Sequence, residues 1–368
     1  MKWQWKLGRY ADIDVYIHAT FVLILAFVAW QHWALGPSGV IEGLLFVLAL
    51  FTCVVLHEYG HALTARRFGI KTRDITLYPI GGIARLERMP EKPLQELWVA
   101  LAGPSVNVVI AAVLFLWLLS SQTIKPMAEL TVATGPFLER LLLANVFLAA
   151  FNLIPAFPMD GGRVLRAVLA MRLEYTRATS IAAAVGQGLA LLFGLAGLFG
   201  NPMLLFIAFI VWMGASQEAS MVQMKSALAG IPVSRAMLTD FKVLAPSDPL
   251  SRAVELVLQG SQQDFPVVNG GGVVGLLVRT DLLEALAQKP ATTEISAVML
   301  REFPVVAEGE MLEALFTRLQ ECQCHTVPVL RGGSLVGLVT SDNIGEFLMV
   351  QAALQGRNPS SLASIQRA

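Results

Sequence analysis

In the stretch "VVLHEYGHALTARRFG", Val54 to Gly69, two histidines stand four residues apart, with a glutamate directly after the first. On a helix, residues i and i+4 share a face with Cβ atoms about 5–6 Å apart, so His57 and His61 can aim two imidazoles at one ion. Glu58 falls on the adjacent face. Paired imidazoles bind zinc, and a carboxylate beside them is the group that takes the proton from an attacking water. The flanking residues are apolar, and ionisable groups in such a segment are costly enough to persist mainly where they act. The plainer alternative is a polar helix end reaching toward an interface.

A third ligand separates the two readings. Asp160, in "FNLIPAFPMDGGRVL", follows another apolar stretch, after Pro155 and Pro158 have broken the helix. Two imidazoles and one carboxylate leave a fourth tetrahedral position for water, the layout of a catalytic rather than a structural zinc site. Taken alone, Asp160 is equally explained as a turn or N-cap aspartate before Gly161 and Gly162. "ALAGPSVNVVIAAVLF" combines small residues, which let helices approach closely, with the amide of Asn107, and ordinary helix packing accounts for it as well as a site does. "RDITLYPIGGIARLE" alternates apolar and polar residues around Gly81 and Gly82, so an extended segment or hairpin is expected, with an edge able to hold a substrate strand.

The elements that must carry these groups are membrane helices. The chain has 368 residues, of which 55% are hydrophobic and 15% charged, with a mean hydropathy of +0.62, the composition of a protein that mostly faces lipid. Six stretches approach the roughly 20 apolar residues that span a bilayer. They are His18–Leu35, Val40–Ala65, Glu96–Leu119, Phe137–Ile154, Ser180–Phe199 and Pro202–Met221. Lysine and arginine gather before the first, between the second and third, and after the fourth, whereas the alternate connections hold only Lys125. The positive-inside rule then makes the N-terminus and everything after Met221 cytoplasmic in a multi-pass protein of the cell membrane. The second and fourth stretches run the same way, so His57, His61 and Asp160 reach a similar depth. Zero net charge gives no reason to expect a nucleic-acid partner, and three cysteines cannot build a disulfide framework.

From Ile231 the pattern becomes that of a soluble α/β region and repeats once. "IPVSRAMLTDFKVLAPSDPLSRAVELV" with "DFPVVNGGGVVGLLVRTDLLEAL" is answered by "ISAVMLREFPVVAEGEMLEALFTRL" with "HTVPVLRGGSLVGLVTSDNIGEF". Each copy reads as short strand, helix, two strands around a glycine-rich hairpin, then helix. The expected division is a membrane domain over residues 1–222, modules over 231–289 and 295–352, and a loosely ordered tail over 353–368. Cys322, Cys324 and His325 in "ECQCHTVP" lead into a strand, where alternate side chains face opposite ways, so no second metal site is expected there.

"HEYGH", "GPSVN" and "NLIPAFPMDGG", in this order on successive apolar stretches, resemble the site-2 protease family of intramembrane zinc metalloproteases, over about Leu7 to Met221. Met159 stands where that family usually has leucine before Asp-Gly. The resemblance implies that His57, His61 and Asp160 hold one zinc ion, that Glu58 activates water, and that Asn107 and Asn152 line the site and contact substrate or the developing oxyanion. The implied fold is a polytopic α-helical membrane domain followed by a soluble pair of cystathionine-β-synthase-type (CBS) modules, and the implied substrates are membrane-tethered regulators or leftover signal peptides in the bilayer. Such module pairs are expected to dimerise and to bind adenine nucleotide through a hydroxyl and a carboxylate. Here each half is incomplete: Asp281 is present but Val278 replaces the hydroxyl residue, and Thr340 is present but Asn343 replaces the aspartate. The competing reading is a zinc-dependent membrane carrier or nucleotide-gated channel, which would need no glutamate beside its ligands and would repeat its polar spans.

Overall fold

The computed structural model describes residues 3–79, 81–87, 90, 92–121, 135–322 and 325–354, apart from the side chains of residues 320–322. It divides into two compact units, Met1–Ala219 and Ser220–Ala368.

The first unit opens with strands β1 (Gln4–Tyr10) and β2 (Ile13–His18), joined through Ala11 and Asp12 at φ 49° and 64°. Two consecutive positive φ values make the turn whose twist matches a hairpin. This lead looks merely polar in sequence because its alternation is short and interrupted by Gly8. Helices α1 (Phe21–Gln31) and α2 (Gly36–Arg67) follow, then β3 (Thr72–Tyr78) and β4 (Gly81–Leu86), the expected hairpin around Gly81 and Gly82. β2 pairs parallel with β3, so these four strands form one sheet in the order β1-β2-β3-β4, and among the described residues no strand pairs with the outer edge of β4. Ile75 packs with Ala62 and Ile13, and Leu77 with Phe51 and Phe21, which lays the sheet against the end of α2 that carries His57 and His61.

Helices α3 (Pro93–Ser120), α4 (Phe137–Asn152), α5 (Asp160–Ala170), α6 (Tyr175–Phe199) and α7 (Met203–Leu228) complete this unit and lead out of it. Among the described residues, four helical segments are long and apolar enough to cross a membrane: Trp33–Arg67, Pro93–Ser120, Tyr175–Phe199 and Met203–Leu228. Two of the six expected spans are shorter than foreseen. His18–Leu35 yields only the 11 residues of α1, because the chain turns through a 3-10 segment at Trp33–Leu35 and Gly36 at φ 76°. Phe137–Ile154 yields the 16 residues of α4, which unwinds before the proline-rich link to Asp160. At 1.5 Å per residue these helices are about 16 and 24 Å long, short of the roughly 30 Å hydrocarbon layer.

One ionic cluster is buried inside the helices. Arg166 of α5 bonds Glu96 of α3, and its Nη1 donates to Glu218 of α7 at 2.5 Å. The guanidinium also lies 5.1 and 5.0 Å from the ring centres of Phe157 and Tyr175.

In the second unit, α8 (Leu250–Gln259), β5 (Phe265–Asn269), β6 (Gly272–Leu277) and α9 (Arg279–Gln288) form one copy. β7 (Val306–Ala307), α10 (Leu312–Cys322), β8 (Thr326–Arg331), β9 (Ser334–Thr340) and α11 (Ser341–Leu354) form the other. Both hairpins turn at glycine pairs, Gly270-Gly271 and Gly332-Gly333, with φ values of 61° and 88° and of 57° and 88°. The copies exchange their lead-in segments: Leu238 bridges to Leu338 of β9, and Leu300 bridges to Leu276 of β6. Val233 and Ala236 accordingly sit in the core of the second copy, and Ile295 and Met299 in that of the first. Cys324, the side chain of Cys322 and the tail from residue 355 onward lie outside the described residues.

Candidate metal centre

α2 presents His57 and His61 on one face, as the i, i+4 spacing requires, and the first residue of α5 brings Asp160 to meet them. His57 Nε2 lies 3.1 Å from His61 Nε2, and Asp160 Oδ2 is 3.2 and 3.1 Å from the two nitrogens. All three residues are buried. Donors about 2.0–2.1 Å from a tetrahedral zinc ion lie roughly 3.3 Å apart, so this triangle fits the metal.

The far ring nitrogens fix the tautomers. His61 Nδ1–H donates to the Val99 carbonyl at 2.7 Å, and His57 Nδ1–H donates to Asn107 Oδ1 at 2.5 Å. A carbonyl can only accept, so His61 carries its proton on Nδ1 and turns the Nε2 lone pair inward. The imidazoles need space as well as orientation. A Cβ on Gly103 would stand 2.2 Å from His61 Nε2 and 2.7 Å from His57 Nε2, so the glycine of "GPSVN" is the gap into which the ligands fit.

A cavity of about 660 Å³ opens on this triangle. Its walls are Glu58, Gly81–Ala84 of β4, Phe151 and Asn152 at the end of α4, Arg163 one turn beyond Asp160, and an apolar face of α7 running from Met203 to Val211. Glu58 Oε2 accepts from the Ala84 backbone N–H at 3.2 Å. Gly82 is what lets it lie there, since a Cβ at that position would come within 2.9 Å of Glu58 Cγ.

Of the residues singled out in the sequence, His57, Glu58, His61, Asp160, Asn152, Gly81 and Gly82 converge on this cavity. Asn107, expected to touch substrate, is placed elsewhere. It is fully buried behind His57, and its Nδ2 donates to Asn145 Oδ1 at 2.9 Å, so both amide atoms are engaged by the protein. Asp281 lies in the first turn of α9, whereas Thr340 and Asn343 bond each other at the start of α11. Sequence reasoning passed over Gly103, Asn145 and Arg163. Only Arg163 carries a signal in the sequence, its position one helical turn after Asp160.

The sequence profile of Peptidase family M50 matches residues 45–135 and 125–195, and that of the CBS domain matches 233–288 and 295–349. A zinc metalloprotease of Methanocaldococcus jannaschii is 30% identical over 345 residues, covering 94% of this chain and 96% of its own. The chain belongs to peptidase family M50. A Bacillus subtilis relative, stage IV sporulation protein FB, is 28% identical over 173 residues, 46% of this chain and 57% of that one. A solved site-2 protease from Methanocaldococcus jannaschii is 37% identical, with a TM-score of 0.44, covering 59% of this chain and 95% of that chain. Membership of M50 makes the chain a membrane-embedded zinc metalloprotease, a hydrolase and not a carrier, and the buried His-His-Asp triangle is consistent with its catalytic metal site.

Proposed function

We infer that the protein hydrolyses a peptide bond of a membrane-tethered protein or leftover signal peptide, and that the substrate enters as an extended strand along the free edge of β4. The observation that carries this reading is the convergence of three groups on one cavity: the His57–His61–Asp160 triangle, the Glu58 carboxylate and an unpaired strand edge. A peptide bond inside a membrane helix has its carbonyl already bonded and must be unwound before attack. Pairing with β4 replaces the hydrogen bonds lost on unwinding. The apolar face of α7 forms a further wall of the same cavity, against which hydrophobic substrate side chains lie.

Zinc, when bound, acidifies water and polarises the scissile carbonyl. His57, His61 and Asp160 hold it. Glu58 takes one proton from the attacking water and passes it to the amide nitrogen as the C–N bond breaks, leaving a carboxylate and an amine. In this reading Asn152, which lines the cavity and keeps one Nδ2–H beyond the bond it donates to Leu148 O at 2.9 Å, orients the substrate carbonyl. Arg163 supplies positive charge at the same wall.

The same reading places six segments in the bilayer, two of them the shorter α1 and α4, with the N-terminus and the CBS pair in the cytoplasm. The cut then releases a cytoplasmic fragment. The CBS pair is the regulatory portion, dimerising and responding to adenine nucleotide near Asp281 and Thr340. The deciding experiment compares wild type with Glu58→Gln on single-span tagged substrates, with zinc content measured in both. Retained zinc with cleavage reduced at least about 10²-fold supports the assignment. Equal cleavage by the two proteins on a substrate that the wild type cuts overturns it.

A further inference from the structure

Behind His57 runs a chain of hydrogen bonds with one possible direction. Asn145 Nδ2 lies 2.9 Å from the Leu141 carbonyl of its own helix α4, and 3.4 Å from Cys53 Sγ. Because the carbonyl accepts and cannot donate, the amide nitrogen of Asn145 must face it, and Oδ1 must face Asn107. Asn107 then presents Nδ2 to Asn145 at 2.9 Å, and Oδ1 to His57 at 2.5 Å. His57 has to answer with Nδ1–H, which leaves its Nε2 lone pair pointing at His61 and Asp160. Both asparagines have no exposed surface, so bulk solvent does not reach either to replace its partner. An amide turned the wrong way would leave buried donors facing each other, at roughly 1–3 kcal/mol for each unsatisfied group.

We propose that Asn145 is a positioning residue for the metal centre: through Asn107 it sets the proton of His57 on Nδ1 and so keeps His57 Nε2 available to zinc. Asn107 and Asn145 lie on α3 and α4, and neither reaches the cavity. They act on the affinity of the site and its protonation pattern, and make no contact with substrate. This inference rests on the zinc reading of the His57–His61–Asp160 triangle.

The test is zinc affinity of the full-length protein in detergent, measured by competition with a chromogenic chelator. Asn145→Leu releases the Asn107 amide to rotate and is expected to weaken zinc binding about 10- to 100-fold, the range for loss of an outer partner of a metal-bound histidine. Asn107→Asp accepts from His57 Nδ1–H whatever stands at 145, so the Asn107→Asp/Asn145→Leu double variant is expected to recover affinity to within about threefold of Asn107→Asp alone. General loosening of the helix packing would not be repaired in this way. If Asn145→Leu yields no folded protein, Asn145→Ser serves in the same comparison, since a hydroxyl is too short to hold both partners. Wild-type affinity in the position-145 variant, or a double variant no tighter than it, overturns the proposal. A wild type that binds no zinc at all would instead overturn the site reading.

Discussion

Replacing Arg166 by leucine removes the cation bonded to a carboxylate that cannot reach water. Arg166 and Glu96 each expose 1% of their side chains. The second oxygen of Glu96 has no hydrogen-bond partner among the described residues, so the guanidinium carries most of its compensation, with Arg163 adding positive charge at longer range. Breaking a buried pair from one side costs about 3–5 kcal/mol, whereas replacing both partners by apolar groups of similar volume is often neutral. Glu218, a third exposed, reaches solvent and contributes little of this. Arg166→Leu should therefore shift the unfolding equilibrium of the membrane unit by about two to three and a half orders of magnitude, at 1.4 kcal/mol per factor of ten. Glu218→Gln should shift it less than tenfold, and Arg166→Leu/Glu96→Met should regain most of the loss. The assay is SDS-driven unfolding of the purified protein in mixed micelles. An Arg166→Leu protein that unfolds like wild type would refute the reasoning, because the uncompensated carboxylate would then cost nothing, as would a double variant worse than the single one, which would place the weight on packing and not on the buried charge.

Other substitutions test the site directly. Gly103→Ala puts a methyl group where the two imidazoles meet, and zinc affinity should fall at least about 100-fold while helix content is unchanged; chelator competition with circular dichroism would read both. Gly82→Ala pushes Glu58 from its seat without touching the zinc ligands, so zinc should stay bound while cleavage falls about 10²-fold, read as single-turnover rates. In the CBS unit, burial raises the Asp281 carboxyl above its ordinary value, with Glu284 and Asp264 adding like-charge repulsion. The folded state thus prefers the protonated form, and ionisation costs stability as pH rises from the ordinary aspartate range through the folded value. Asp281→Asn should raise the unfolding midpoint of this unit at pH 7, and the gain should vanish as pH falls below about 4, where the carboxyl is neutral in both states; a gain that persists in acid would contradict it.

The chemistry was more legible than the architecture that holds it. His57, His61 and Asp160 could be found because metal ligands are few in an apolar chain and their spacing follows helix geometry. The β3–β4 hairpin could be found because its alternation is unbroken for several residues. Asn107 was conspicuous as a polar residue, but its partner is another asparagine 38 positions away, and nothing in the local sequence says which way a buried amide turns. Gly103 was passed over among the small residues of its stretch, because spacing cannot tell a gap between helices from a gap for a ligand. The shortness of α1 and α4 was hidden because hydropathy sums apolar residues without registering where the backbone turns. In the repeats, the sequence copies are not the packing copies, since residues 231–238 and 295–300 cross into each other's cores, a swap that self-similarity alone cannot reveal.

The free edge of β4 has a consequence for what such a protein can discriminate. A strand edge meets its partner through main-chain N–H and C=O groups, which every residue except proline supplies alike. An enzyme that receives its substrate this way reads how readily a segment gives up its helix more than it reads the letters of that segment. Selection then becomes a contest of rates: a membrane segment that uncoils often is captured, one that uncoils seldom diffuses past, and a single glycine placed within a host helix would change its lifetime more than a change of side chain at the cut.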